Sequence, residues 1–450
     1  MRQPSEEEWA RVSVYARRIR HFSGFSSVVL SEAALEILTS RFSGTCMLPM
    51  LQDLRWISAS PEHLGLLPLV VSPVLTNFRL GLSHIDDPFN ASQLIPALEA
   101  LAPAHNSLVE INICHPIDHD PRITDAASTL LLRCNPDRLL YFRVPSALSE
   151  EAFLHAAQLP NLRAFTVWDD VAEHAMRLPT SIFPSLRSLD IRTTSARSVL
   201  LQAIKNIQSN TFSDLELEFP ASILGTFLPM ALEALRPRSL HRTLSRLTIS
   251  PENFFDLDTA LIRPLLFLNQ LTDLDIGVFC LNTCPFKLTD EDIEELVRAL
   301  PKLESLRFGH LPCSHPANST VKSLVSIAKH CKHLNDLVIH TNVEAIVNEA
   351  SQPFHRGDDH VPEDPLSAFV ECPLHTIILG SCHIPDYEQG ASIFAFTLLR
   401  LFPRLNSILA ISLNREEDPL WETVYSFVDN YRRVGMNITE VGEWRVPTSA

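Results

Sequence analysis

The sequence predicts an α/β solenoid: a curved parallel sheet on the concave face, helices and irregular turns on the convex face, and a helical cap at each end. Two observations carry this. A strand signature, apolar-x-x-apolar-x-apolar, recurs about thirteen times, and proline-containing joints recur in phase with it. A unit with one buried face on a helix and another on a strand is not stable alone, so it needs copies on either side.

The clearest unit is Leu288–Phe308. Thr289, with Asp292 three residues on, predicts a capping-box start. Ile293, Leu296, Val297 and Leu300 follow at i, i+3, i+4 and i+7, one face of a helix. Pro301 stops that helix, having no N–H to give and a ring that clashes with the preceding turn. Leu303, Leu306 and Phe308 then show the strand signature.

Residues 1–44 are expected to be a helical N-terminal cap, with Trp9, Val12, Tyr15 and Ala16 on one face and Ile19 and Phe22 extending it. A second helix is predicted from Ser31 to about Phe42. The solenoid proper spans 45–415. Its strands are Leu51/Leu54/Trp56, Leu75/Phe78/Leu80, Leu108/Ile111/Ile113, Leu139/Phe142/Val144, Leu162/Phe165/Val167 and Leu186/Leu189/Ile191. Then come Phe212/Leu215/Leu217, Leu244/Leu247/Ile249, Leu271/Leu274/Ile276, Leu303/Leu306/Phe308, Leu334/Leu337/Ile339, Leu374/Ile377/Leu379 and a degenerate Leu405/Ile408/Ala410. The mean period is about 30 residues, within reach of the leucine-rich-repeat range.

Five joints share one grammar: Leu48-Pro-Met-Leu51, Leu159-Pro-Asn-Leu162, Phe183-Pro-Ser-Leu186, Leu300-Pro-Lys-Leu303 and Phe402-Pro-Arg-Leu405. Helical spacing fills the gaps, as in Leu200/Ala203/Ile204/Ile207 and Val321/Leu324/Val325/Ala328, and Ser149 is placed to cap a helix over 150–158. Residues 351–365, polar and proline-rich, predict an exposed loop. The grammar then changes, and 416–450 is expected to be the C-terminal cap. There Pro419 suits a first helical turn, and Trp421, Val424, Tyr425 and Val428 form its apolar face.

Composition narrows the function. The 450 residues carry a formal net charge of −16, which disfavours nucleic acid and acidic membrane surfaces. Only 12 glycines argue against phosphate-cradling loops, and no Gly-x-Gly or Gly-Lys-Ser/Thr occurs. Neither His-Glu-x-x-His nor Gly-x-Ser-x-Gly is present, so no catalytic or cofactor-binding residue is assigned. No apolar run is long enough to span a membrane, and none follows the N-terminus as in a signal peptide. With 9 cysteines, an odd number in no small-scaffold spacing, the expectation is a reduced protein of the cytoplasm or nucleus, not secreted. His310, Cys313, His315, His330, Cys331, His333, Cys372, His375, Cys382 and His383 invite a metal site. Their spacing is irregular and scattered over several repeats, whereas structural zinc wants closely paired ligands, so no metal is expected. Cys280 and Cys284 lack the Cys-x-x-Cys redox spacing.

One positive inference follows from the strand period. Side chains between the apolar positions point away from the core and line the concave face. Tyr141, Arg143, Trp168 and Arg192 stand mid-face, with Arg55 and Arg79 before them; Tyr, Trp and Arg are the residue types enriched in interface hot spots. An acidic group that includes Asp214, Glu216 and Asp275 follows. Twelve strand steps give a face on the order of 58 Å, room for a protein or peptide.

The Leu-x-x-Leu-x-Ile strands, the Phe/Leu-Pro-x-Leu joints and the helix starts Ile123-Thr-Asp125 and Leu288-Thr-Asp290 resemble leucine-rich repeats of the F-box-associated kind. Over about residues 8–445 the chain resembles the mushroom-type fungal F-box/leucine-rich-repeat proteins, including a segment like Glu8–Arg20 that follows their F-box. The Leu-Pro-x-Glu-like opening of an F-box has no match here. The resemblance implies the substrate-recognition part of an F-box-type ubiquitin ligase receptor, with a protein or peptide substrate on the concave face. A cullin-ligase adaptor is expected only if an F-box lies upstream. The alternatives are an F-box-less scaffold or inhibitor and, last, an enzyme with a convergent site.

Overall fold

In the computed structural model the described residues are 3–24, 31–58, 61–82, 91–113, 120–144, 146–169, 178–193, 198–236, 240–251, 255–277, 285–309, 317–343, 345, 372–380, 388–411 and 419–434. They fall into two compact units, Met1–Glu216 and Leu217–Ala450. Each is an α/β repeat array of the leucine-rich-repeat solenoid class, with strands in chain order and paired neighbours parallel within each unit.

The first unit holds β1 His21–Gly24, β2 Asp53–Ser58, β3 Asn77–Leu82, β4 Glu110–Ile113, β5 Tyr141–Arg143, β6 Ala164–Asp169 and β7 Ser188–Thr193. β8, Asp214–Phe219, carries the chain from the first unit into the second. The second unit continues with β9 Arg246–Pro251, β10 Asp273–Ile276, β11 Ser305–Phe308, β12 Asp336–Ile339, β13 Thr376–Gly380 and β14 Ser407–Ile411.

Alternation fixes the faces. Leu54, Phe78, Ile111, Phe142, Phe165 and Leu189 stand in register across the first unit and are at most 2% exposed. Leu247, Leu274, Leu306, Leu337, Ile377 and Ile408 form the corresponding buried row of the second. A one-residue slip would turn such a row to the other face, so burial pins the register.

Backbone hydrogen bonds lock it further. At the entry to most strands two successive N–H groups donate to one carbonyl of the preceding repeat. In the first unit Thr76 and Asn77 donate to Gln52, Val109 and Glu110 to Thr76, Leu140 and Tyr141 to Val109, and Arg163 and Ala164 to Leu140. In the second, Thr272 and Asp273 share Ser245, Glu304 and Ser305 share Thr272, and Asn335 and Asp336 share Glu304.

The proline joints are tight turns. The closing leucine donates its N–H to the carbonyl three residues back in Leu51→Leu48, Leu186→Phe183, Leu303→Leu300 and Leu405→Phe402. Proline sits second in each, where its fixed φ suits the turn. It therefore shapes the turn as well as stopping the helix. At Phe183-Pro-Ser-Leu186 the phenylalanine adopts φ +52°, a left-handed conformation unfavourable for a side chain with a Cβ. Its ring is held against Phe153 and Phe165, with centroids 6.2 and 5.4 Å away.

Helix starts follow their caps. Thr289 and Asp292 form the expected capping box before Asp290–Ala299, and Ser149 caps Glu150–Gln158. Asp292 also accepts a 2.8 Å bond from the Thr259 hydroxyl. Burial raises the Asp292 pKa, but bonds from the Thr289 backbone and from the Thr259 and Thr289 hydroxyls, with the charge of Arg263, lower it further, and the net direction is down. A lowered folded-state pKa adds stability that is present above the unfolded value of about 3.9 and is lost as pH falls through the folded one. Asp292→Asn is therefore expected to be less stable than wild type at neutral pH, the two converging as pH falls through the lowered folded-state value. Urea midpoints measured across that range check it.

Three features differ from expectation. The N-terminal cap is not helical throughout: helix Glu6–Ala16 ends early, and Phe22 belongs to β1, paired in register with Leu54. On that helix Trp9 and Ala16 are buried, but Val12 and Tyr15 are 42% and 66% exposed, so its apolar face is narrower than the spacing suggests. Ser305 and Val338, on the outward side of β11 and β12, are buried. Helix Pro419–Val434 buries Trp421, Val424 and Val428, with Trp421 edge-on to Phe394 at 6.0 Å. The predicted loop 351–365 lies outside the described residues.

The described cysteines, Cys46, Cys134, Cys331 and Cys372, are free thiols. Burial pushes Cys134 and Cys331 up to about 12, the neighbouring Cys372 adding to the rise at Cys331. Thiolate is the reactive form. Both are expected to resist a thiol reagent at pH 8 in the native protein and to react fully in denaturant, as peptide mapping of alkylated protein would reveal.

Candidate functional site

Outward positions of the first unit form rows at strand spacing. One row runs Arg55, Arg79, Asn112, Arg143 over β2 to β5, in register. The row beside it runs Asp53, Asn77, Glu110, Tyr141, Ala164, Ser188. On β6 and β7 a third pair, Trp168 and Arg192, stands in register.

The arginines are not equivalent. Arg79 makes a forked pair with Glu110, Nε to Oε1 at 2.8 Å and Nη2 to Oε2 at 3.0 Å. This geometry neutralises the charge and holds the guanidinium plane. Arg192 lies with its guanidinium carbon 5.3 Å from the Trp168 ring centroid, and its Nε is 3.7 Å from Asp190 Oδ1. Asp190 Oδ2 in turn accepts from the Thr166 hydroxyl at 3.2 Å. The four side chains brace one another, so the Trp168 ring is held in place.

Arg143 behaves differently. It stands on β5, yet its Nη2 donates to Ser188 Oγ on β7 at 3.3 Å. The side chain therefore reaches across β6, whose outward residues there are the small Ala164 and Thr166, both buried. No carboxylate pairs with Arg143 or with the exposed Arg55 among the described residues. Among the described residues, neither of these two cationic groups is within ion-pair distance of a carboxylate.

Tyr141 and Arg143 share β5 and Trp168 and Arg192 stand in register on β6 and β7, while Arg55 and Arg79 lie on β2 and β3. Asp214 and Glu216 stand half-buried on β8 at the end of the first unit, Asp214 accepting from the Ser213 hydroxyl. Asp275 stands on β10 of the second unit, in register with Thr248 and Arg307. The partners Glu110, Ser188 and Asp190 were recognisable as outward residues, but their pairings depend on which strands adjoin.

Among the described residues no three His, Cys, Asp or Glu side chains lie placed to hold a metal ion. His310, Cys313, His315, Cys280, Cys284, Cys382 and His383 lie outside the described residues. No described helix is long and apolar enough to cross a membrane.

No family model and no curated protein matches the chain. Among solved structures it is similar to a chain of the Rad7 and Elc1 complex from yeast, with a TM-score of 0.43, 15% sequence identity, and 92% of each chain covered.

Proposed function

We propose that this chain is a protein-binding leucine-rich-repeat module and that the outward sheet face of its first unit receives the partner. The observation that carries this reading is the braced cluster of Trp168, Arg192, Asp190 and Thr166 on the same sheet face as Tyr141 and Arg143, the latter without a carboxylate partner among the described residues. Ordering costs at binding are reduced when side chains are already held, and aromatic and arginine side chains carry most interface energy. In the sequence resemblance, such a face belongs to the substrate-recognition part of an F-box-type ubiquitin ligase receptor. A scaffold or inhibitor would use the same face without a ligase.

Affinity capture with wild type and with Tyr141→Ala/Trp168→Ala, compared by quantitative mass spectrometry, tests both parts. Partners that depend on the face are expected to fall at least about fivefold in the double variant, the scale of about 1 kcal/mol lost at an interface. Equal recovery from both proteins would overturn the placement. A cullin-ligase adaptor recovered equally with both would support the ligase reading, and its absence from full-length captures would leave the scaffold or inhibitor.

A further inference from the structure

Resting on that binding reading, we propose that the ligand is an acidic segment in extended conformation, with one carboxylate on Arg55 and a second, four residues along, on Arg143. The register places Arg55 and Arg143 in one row, on β2 and β5. Three strand steps put them about 14 Å apart. An extended chain advances about 3.3 Å per residue with alternate side chains on one face, so residues i and i+4 span about 13 Å and point the same way.

The electrostatics select an anion. The chain as a whole carries a net charge of −16, yet these two guanidinium groups have no carboxylate partner among the described residues. Arg143 is half-buried and spends one N–H on a neutral hydroxyl, leaving its remaining donors for a ligand. Desolvated charge without a counter-ion is costly, and a carboxylate meeting the guanidinium fork relieves that cost. Between them the Arg79–Glu110 pair is internally balanced and presents a polar platform to residue i+2. Asp214 and Glu216 on β8 repel an acidic chain that extends further in that direction, which confines it toward β2–β5.

Panning a random displayed-peptide library on the full chain tests the proposal. Recovered peptides, made synthetically and titrated by fluorescence anisotropy, are expected to carry acidic residues at i and i+4. Their affinity is expected to fall about tenfold or more in Arg143→Gln and in Arg55→Gln. Arg143→Gln removes the charge together with the bond to Ser188, and circular dichroism checks its fold. If recovered peptides lack the acidic pair but lose affinity in Tyr141→Ala/Trp168→Ala, the acidic-ligand inference falls and the face remains a binding site. Binding indifferent to all these variants, or no recovered peptide, overturns both.

Discussion

Phe165→Ala is expected to destabilise the first unit by about 3–5 kcal/mol, the usual range for removing a buried phenylalanine ring. Phe165 is 1% exposed and packed among three other phenylalanine rings, from β5, helix Glu150–Gln158 and the Phe183 joint. Its centroid lies 6.3 Å from Phe142, 6.0 Å from Phe153 and 5.4 Å from Phe183. Deletion removes transfer energy and aromatic contacts, and it leaves a cavity between elements that cannot easily close. It also removes one wall that holds Phe183 at positive φ, so the joint loses support together with the core. Phe165→Leu fills most of the volume and is expected to cost less than half as much. Urea unfolding followed by tryptophan fluorescence measures both, and a loss below about 1 kcal/mol for the alanine variant would show that the cluster is not packed as described.

Asp290→Ala is expected to cost about 2–4 kcal/mol, and chiefly in the following repeat. The Asp290 carboxylate accepts from Thr320 N and Thr320 Oγ1, both at 2.7 Å, from Ser323 N at 3.1 Å, and from the Ser323 hydroxyl. One aspartate at the start of helix Asp290–Ala299 thus caps the next helix, Val321–His330, whose first N–H groups have no intrahelical acceptor. Negative charge at a helix N-terminus adds to the effect. Bonds to a charged acceptor contribute about 1.5–3 kcal/mol each, but four on a half-buried group are not additive. Ser323 is buried, so its hydroxyl loses its carboxylate partner and becomes a further cost. Hydrogen exchange is expected to accelerate first in Val321–His330. Uniform acceleration across both units would contradict a local, repeat-to-repeat role.

What the sequence could convey depended on whether a residue's surroundings lie within its own repeat. The strand frame was legible because burial of alternate residues is a local period: every expected strand from Leu54 to Ile408 is present. So were the Thr289–Asp292 capping box and the proline joints, which close within three residues. β1 was not legible, because His21–Gly24 is short and its apolar residue also fits the preceding helical spacing. The double N–H donation at strand entries, the Asp290 cap and the Arg79–Glu110 fork all join residues roughly 30 positions apart. They depend on register, which a single repeat does not contain. For the candidate site, direction was legible and pairing was not: Arg79, Arg143 and Arg192 all face outward, yet only the assembled strands distinguish the two that are ion-paired from the one that is not.

The central claim is that a partner lies on the outward sheet face of the first unit. A photo-crosslinking amino acid placed at Tyr141, in otherwise unchanged protein, tests it most directly, with Met230, an exposed residue of helix Ala221–Ala234, as the control position. The account predicts a discrete protein adduct from Tyr141 that disappears in the Arg143→Gln and Trp168→Ala backgrounds and is not formed from Met230. An adduct that survives both substitutions, or one that forms equally from Met230, would contradict it.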